Sequence, residues 1–191
     1  MWGVERFAAI SCLVLFALPA LAQNTLYNNG PDADVGYYGV NGGAETSNSF
    51  YLSQEAAVTS ITLTLYTVDD RNHPESLRWA ITTEALGGTV LGTGFAGLSL
   101  LGDPYLTKFL FYAYPEGFQV PNLNLPPGTY YLQIQDVVTQ WRALAFWAVS
   151  DGSSLGYYSR VGPSEYGRRS SPAQVSSESF AVFGRWAETT P

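Results

Sequence analysis

The chain holds one cysteine, one histidine and one lysine in 191 residues. Each scarcity removes a class of chemistry. The cysteine, Cys12, lies within the first 22 residues, so residues 23–191 contain none and no disulfide can stabilise them outside a cell. With His73 as the sole histidine, a zinc site of the usual Cys and His ligands cannot be assembled, and redox metals fall on the same ground. Lys108 is the sole lysine and the net charge is −7, so the electrostatic attraction that drives nucleic-acid binding is missing and an anionic membrane surface would repel the protein. No Asn-x-Ser/Thr acceptor occurs either, which with the missing cysteines points to a bacterial secreted protein. His73 lies near Asp69 and Asp70, but Asp69-Asp70-Arg71-Asn72-His73-Pro74 reads as a turn, and a triad would also need an exposed nucleophile on a strained turn.

Long apolar runs are scarce too. The longest, Phe7–Leu18, falls well short of the ~20 residues that cross a bilayer, so no transmembrane anchor is expected. Preceded by Arg6 and followed by Ala20-Leu21-Ala22, it reads as an export signal over residues 1–22, with the mature chain starting at Gln23. The AISC segment around Cys12 lacks the leucine of a lipid-attachment box and sits inside the apolar run. Export is the first expectation, with secreted or periplasmic residence to follow.

What is present is β-pattern. Ser60–Val68 alternates Ile61, Leu63 and Leu65 against Thr62, Thr64 and Tyr66, a strand with one wet side. Thr129–Val138 repeats this behind the turn Pro126-Pro127-Gly128, with Tyr130, Leu132 and Ile134 set against Tyr131, Gln133 and Gln135. Leu77–Ile81 alternates until Gly87-Gly88; Thr89–Leu101 resumes around Gly92, Gly94 and Gly97. Lys108–Tyr114 closes at Pro115 and Phe118–Val120 at Pro121, while Ala143–Val149 and Glu178–Phe183 read as later strands. Leu155–Gln174, with Arg160, Arg168 and Arg169 among Gly, Ser and Pro, reads as a long mobile loop. Strands at this spacing, in a chain with 15% aromatic residues, predict an all-β fold: a single antiparallel β-sandwich, jelly-roll-like, over residues 23–191 with its core at about 25–184.

Six segments carry a resemblance along nearly the whole mature chain. They are LYNNGP (Leu26–Pro31), SNSFYLS (Ser47–Ser53), GGTVLGTG (Gly87–Gly94), PPGTYYLQIQDVVT (Pro126–Thr139), AFWAVSDGSS (Ala145–Ser154) and SESFAVFG (Ser177–Gly184). In this order they resemble secreted bacterial β-sandwich proteins of the PEP-CTERM or choice-of-anchor type. The resemblance implies export, a sheet sandwich and association with the envelope or extracellular matrix, and it brings no biochemical activity with it. The last residues, Gly184–Pro191, depart from the pattern by lacking a Pro-Glu-Pro motif, apolar span and basic cluster, so free secretion or periplasmic residence is expected.

Three constellations could carry function. Trp141, Tyr157, Tyr158 and Trp147 are candidate ligand-binding rings, since aromatic faces stack on sugars; for Trp147, in an apolar strand, the core is the competing assignment. Asn28, Asp32 and Asp34 place oxygen side chains at alternate positions in a glycine-bearing loop, a candidate calcium site whose alternative is an ordinary Asx turn. Glu75, Glu84, Glu116, Asp136, Asp151, Glu165 and Glu178 are candidates for a glycosidase carboxylate pair. The leading expectation is a non-catalytic, envelope- or matrix-associated module for polysaccharide. A glycan hydrolase and a calcium-stabilised structural protein are the alternatives, and the sequence does not fix the oligomeric state.

Overall fold

The computed structural model describes residues 23–160 and 171–188; the expected signal segment, Glu165, Arg168 and Arg169 lie outside them. In chain order the strands are β1 (Asn24–Asn28), β2 (Asp32–Gly39), β3 (Ala44–Leu52), β4 (Ala56–Thr67), β5 (Pro74–Glu84), β6 (Gly87–Gly97), β7 (Ser99–Leu100) and β8 (Tyr105–Leu106). They continue with β9 (Tyr112–Leu125), β10 (Gly128–Thr139), β11 (Ala145–Ser150), β12 (Gly156–Arg160), β13 (Ala173–Val175) and β14 (Phe180–Trp186). Every pairing among the described residues is antiparallel, and the strands form two sheets that pack face to face, as the alternation predicts.

One sheet runs β13-β12-β3-β10-β5-β6. The other is organised about β4. Along one edge of β4 runs β9, from Ala56 opposite Leu125 to Thr67 opposite Tyr112. The other edge is divided: β14 takes Ala56–Leu63 and β11 takes Leu65–Thr67. Beyond them β1 pairs β14 and β2 pairs β11, while the short β7 and β8 lie outside β9.

The predicted inward residues are inward. Ile61, Leu63 and Leu65 of β4 meet Leu132 and Ile134 of β10, with Phe50, Trp79, Trp147 and Phe180 filling the space between the sheets. Two glycines of β6 make room for the largest of these contacts: a Cβ at Gly92 or Gly94 would stand 3.4 Å or less from the Trp79 indole, which lies across the strand. That close approach explains the glycine run that the sequence shows only as an interruption.

Three expectations are corrected. Pro115 and Pro121 do not end strands, because β9 runs through both. The Pro115 carbonyl accepts the Leu101 N–H at 2.8 Å, and Pro121 falls where the register slips between Ser60–Gln119 and Val58–Leu123, a bulge that tolerates a missing donor. The wet side of β4 is wet only in part. Tyr66 is fully buried under Tyr37, Phe111 and Phe146, since the segment before β9 folds across this face. Finally, the expected loop Leu155–Gln174 begins in β12 and ends in β13, which pair with each other and extend the six-stranded sheet past β3.

Candidate functional site

The fold separates the four predicted rings. Trp147 is a core residue with 0% exposure: its Nε1 donates to the Ser179 carbonyl at 2.8 Å and its ring meets Phe180 edge-on at 5.7 Å. Trp141, in the turn between β10 and β11, is 70% exposed. Tyr157 and Tyr158 are neighbours on a strand and therefore point to opposite faces. Tyr157 lies beside Ser47 on the outer face, its ring 6.1 Å from Tyr131, whereas Tyr158 lies beside Thr46 and 5.9 Å from Tyr38. Strand geometry thus breaks a pair that would share one surface in a loop.

Asn28, Asp32 and Asp34 are engaged by the protein itself. The Asn28 carboxamide oxygen accepts the Gly30 N–H at 2.9 Å, and Asp32 Oδ1 accepts the Asp34 N–H at 2.7 Å, two Asx turns. The Tyr66 hydroxyl donates to both Asp32 oxygens at 2.6 Å, and the Tyr105 hydroxyl donates to Oδ2 at 2.7 Å. Burial first, then the Asp32 carboxylate, push both phenols far above the usual tyrosine range, so they remain donors. Asp34 Oδ2 accepts the Lys108 N–H at 3.0 Å. These acids fasten the β8–β9 connection to the sheet. Among the described residues no group of three or more His, Cys, Asp or Glu side chains is placed to hold a metal ion.

Of the candidate carboxylates, Glu75, Glu84, Asp136 and Asp151 are exposed, while Glu116 and Glu178 are fully buried. Glu116 faces the interior beside Leu63, and its Oε1 is 3.0 Å from His73 Nε2. Its partner is thus the histidine that sequence adjacency sets beside Asp69 and Asp70; Asp69 instead caps its own turn through Arg71 N–H and Asn72. Burial pushes the Glu116 carboxyl up to about 7. Glu178 sits at the fork where β11 and β14 part, bridged to Val149, with neither carboxyl oxygen hydrogen-bonded. Burial raises it well above the ordinary range, against the opposing effect of its own backbone N–H. Its carbonyl, in contrast, collects Asn29, Asn48 and Ser150. The two acids flank opposite edges of β4, with Leu63 and Leu65 on the strand between them, so no solvent cleft lets them act on one glycosidic bond.

A different surface has the geometry of a site. Ser60, Thr62 and Thr64 face outward from β4 because Ile61, Leu63 and Leu65 face inward. Register sets Gln119 and Phe183 beside Ser60, Gly117 and Ala181 beside Thr62, and Pro115 beside Thr64. Two hollows of about 340 and 390 Å³ lie over these rows and share Thr62, Leu101 and Phe183, making one groove across three strands. Pro31 from the β1–β2 turn borders one end and Gln23 the other. Glycine at 117 lets Leu101 lie close against the sheet, since a Cβ there would stand 3.1 Å from Leu101 Cδ1 and push that side chain back by a few tenths of an ångström. Hydroxyls, amides and apolar edges make the lining. The one ionisable residue bordering the groove, Glu116, turns its side chain to the opposite, buried face. Charge begins past both ends: Asp32 and Asp151 border a further hollow of about 420 Å³ beyond Pro31, and Arg185 borders one of about 210 Å³ that shares Gln23 and Gln119 with the groove.

The hydroxyl face of β4 is legible in the alternation of Ser60–Val68, but Phe183, Gln119 and Leu101 join it only through pairing between distant segments. No protein-family model matches this chain, and no curated protein matches it either.

Proposed function

We propose that the protein is an exported, non-catalytic β-sandwich module of the envelope or extracellular matrix that binds a neutral polysaccharide in the groove over β4, β9 and β14. One observation carries this reading: a groove free of charged side chains on a protein of net charge −7, lined by Ser60, Thr62, Thr64 and Gln119 and edged by Phe183 and Leu101. Sugars present that complement, with hydroxyls for the polar rows and an apolar ring face for Phe183. The burial of Glu116 and Glu178 on the far side of the sheet supports binding without hydrolysis. The export signal and the resemblance to envelope-associated sandwiches support the location.

Substitution of the groove tests it. Phe183→Ala is expected to weaken retention on a neutral polysaccharide by about tenfold, the scale of one lost ring contact. Thr62→Glu, which sets a carboxylate on the groove floor, is expected to abolish it without lowering the melting temperature. Reducing sugar should not accumulate with either protein. Retention unchanged by both substitutions would show that the groove is not the binding site, and sugar release that Glu116→Gln or Glu178→Gln stops would replace binding with hydrolysis.

A further inference from the structure

On the outer face of the six-stranded sheet, three strands bring together an amide, a hydroxyl and a carboxylate. Gln133 of β10 points outward because Leu132 and Ile134 point inward, and β10 lies between β3 and β5. Thr82 of β5 and Glu45 of β3 stand on either side of it, each two positions from direct register, and all three residues are buried. The Gln133 nitrogen donates to Glu45 Oε1 at 3.2 Å, while its oxygen accepts the Leu86 and Gly87 N–H groups, both at 3.2 Å. The reverse orientation would set that oxygen against the carboxylate and the nitrogen against two donors. The Thr82 hydroxyl reaches the Glu84 carbonyl at 2.8 Å, and its oxygen is 3.1 Å from the Gln133 oxygen.

The turn between β5 and β6 supplies the two N–H groups. Leu86 has φ 51°, a left-handed conformation unfavourable for leucine, and its side chain is buried. Its amide and that of Gly87 aim at one oxygen, so the hairpin end lies over the outer face beside Gln133. Successive N–H groups converging in this way favour developing negative charge. A neutral carboxamide does not call for such a site, and backbone strain of this kind collects where chemistry uses it.

We infer that Thr82 and Gln133 join in an intramolecular ester, which the protein forms on itself. Thr82 Oγ1 bonds to Gln133 Cδ, the Cδ–Nε2 bond breaks, and the hydroxyl proton leaves on the nitrogen as ammonia. No oxidant, metal or other reactant is consumed. The carboxamide oxygen carries the charge of the tetrahedral intermediate against the Leu86 and Gly87 amides, and Glu45 passes the proton to the departing nitrogen. Contact within one fold gives the hydroxyl a high effective molarity, and burial keeps water from the ester. The bond ties β5 to β10 between positions 51 residues apart, in a stretch, residues 23–191, that has no cysteine for a disulfide. It lies on the sheet opposite the groove and does not depend on glycan binding.

Mass spectrometry of residues 23–191 tests the inference. The intact protein is expected to be lighter than its sequence by one ammonia. Cyclisation at Gln23, Asn29-Gly30 or Asn41-Gly42 would remove the same mass, so the location decides. Trypsin cuts after Arg78, Lys108 and Arg142, and peptides 79–108 and 109–142 are expected to run as one linked species that hydroxylamine separates. Thr82→Ser retains the hydroxyl and is expected to retain the link. Thr82→Val is expected to lose the link, to restore the missing mass, and to lower the melting temperature by about 10 °C, the scale of one crosslink closing a loop of this length. Glu45→Gln should leave most of the protein unlinked. Peptides that run separately in the unaltered protein overturn the inference, as does a link that persists in Thr82→Val.

Discussion

Exchange of Trp147 for alanine is expected to cost about 3–5 kcal/mol, the range for deleting a buried tryptophan. The indole is fully enclosed between the sheets, so its loss leaves a cavity that the flanking Leu65 and Phe180 cannot fill without moving β4 or β14. It also strands the Ser179 carbonyl, which accepts Nε1–H at 2.8 Å where β11 and β14 part. Against a total stability of roughly 5–15 kcal/mol for a domain of this kind, that is a large share. Exchange of Trp141 is expected to change stability by no more than ~0.5 kcal/mol, because its ring lies mostly in water. Urea denaturation of both variants checks the pair. Equal losses, or a larger loss at Trp141, would contradict the packing between the sheets.

Stability is also expected to fall as the pH rises through neutrality. In the unfolded chain Glu116 titrates in the ordinary range near 4.5, whereas burial raises it to about 7 in the fold, and Glu178 is raised as well. The folded state therefore binds more protons than the unfolded state across this interval. The stabilisation is complete below about pH 4.5 and is lost as pH rises through about 7, where the fold must enclose a charge. For Glu116 the interval corresponds to about 3 kcal/mol at most. Glu116→Gln should flatten the decline that ends near pH 7, leaving the part due to Glu178. Melting temperatures from pH 4 to pH 8.5 measure this; a stability that climbs with pH in the unaltered protein would contradict the burial of both acids.

Local pattern in the sequence reaches as far as the strands. Ile61, Leu63 and Leu65, and likewise Tyr130, Leu132 and Ile134, declare an inward face because period-2 alternation is a property of the strand alone. The same logic fails at Pro115 and Pro121, whose tolerance depends on which neighbour supplies or omits a hydrogen bond, a fact of pairing. It fails at Tyr157-Tyr158 for a related reason: Gly, Ser and Arg suggest a loop, but β3 offers an unpaired edge that the segment fills as β12. The site is less legible still. Thr62 reads as a wet position, yet the groove exists only because Gly117 and Phe183, 55 and 121 residues further along, stand on the flanking strands, and because Leu101 rests on Gly117. His73 and Glu116 are brought together in the same way, where adjacency alone pairs His73 with Asp69 and Asp70.

Recognition of a neutral glycan by the uncharged groove is measured by affinity electrophoresis of residues 23–191 through gels containing either a neutral polysaccharide or an anionic one of similar chain length, with Thr62→Glu run beside the unaltered protein. Retardation is expected by at least one neutral polymer and not by the anionic polymer, and Thr62→Glu is expected to migrate without retardation. Retardation by the anionic polymer alone, or equal retardation of both proteins, would contradict that recognition.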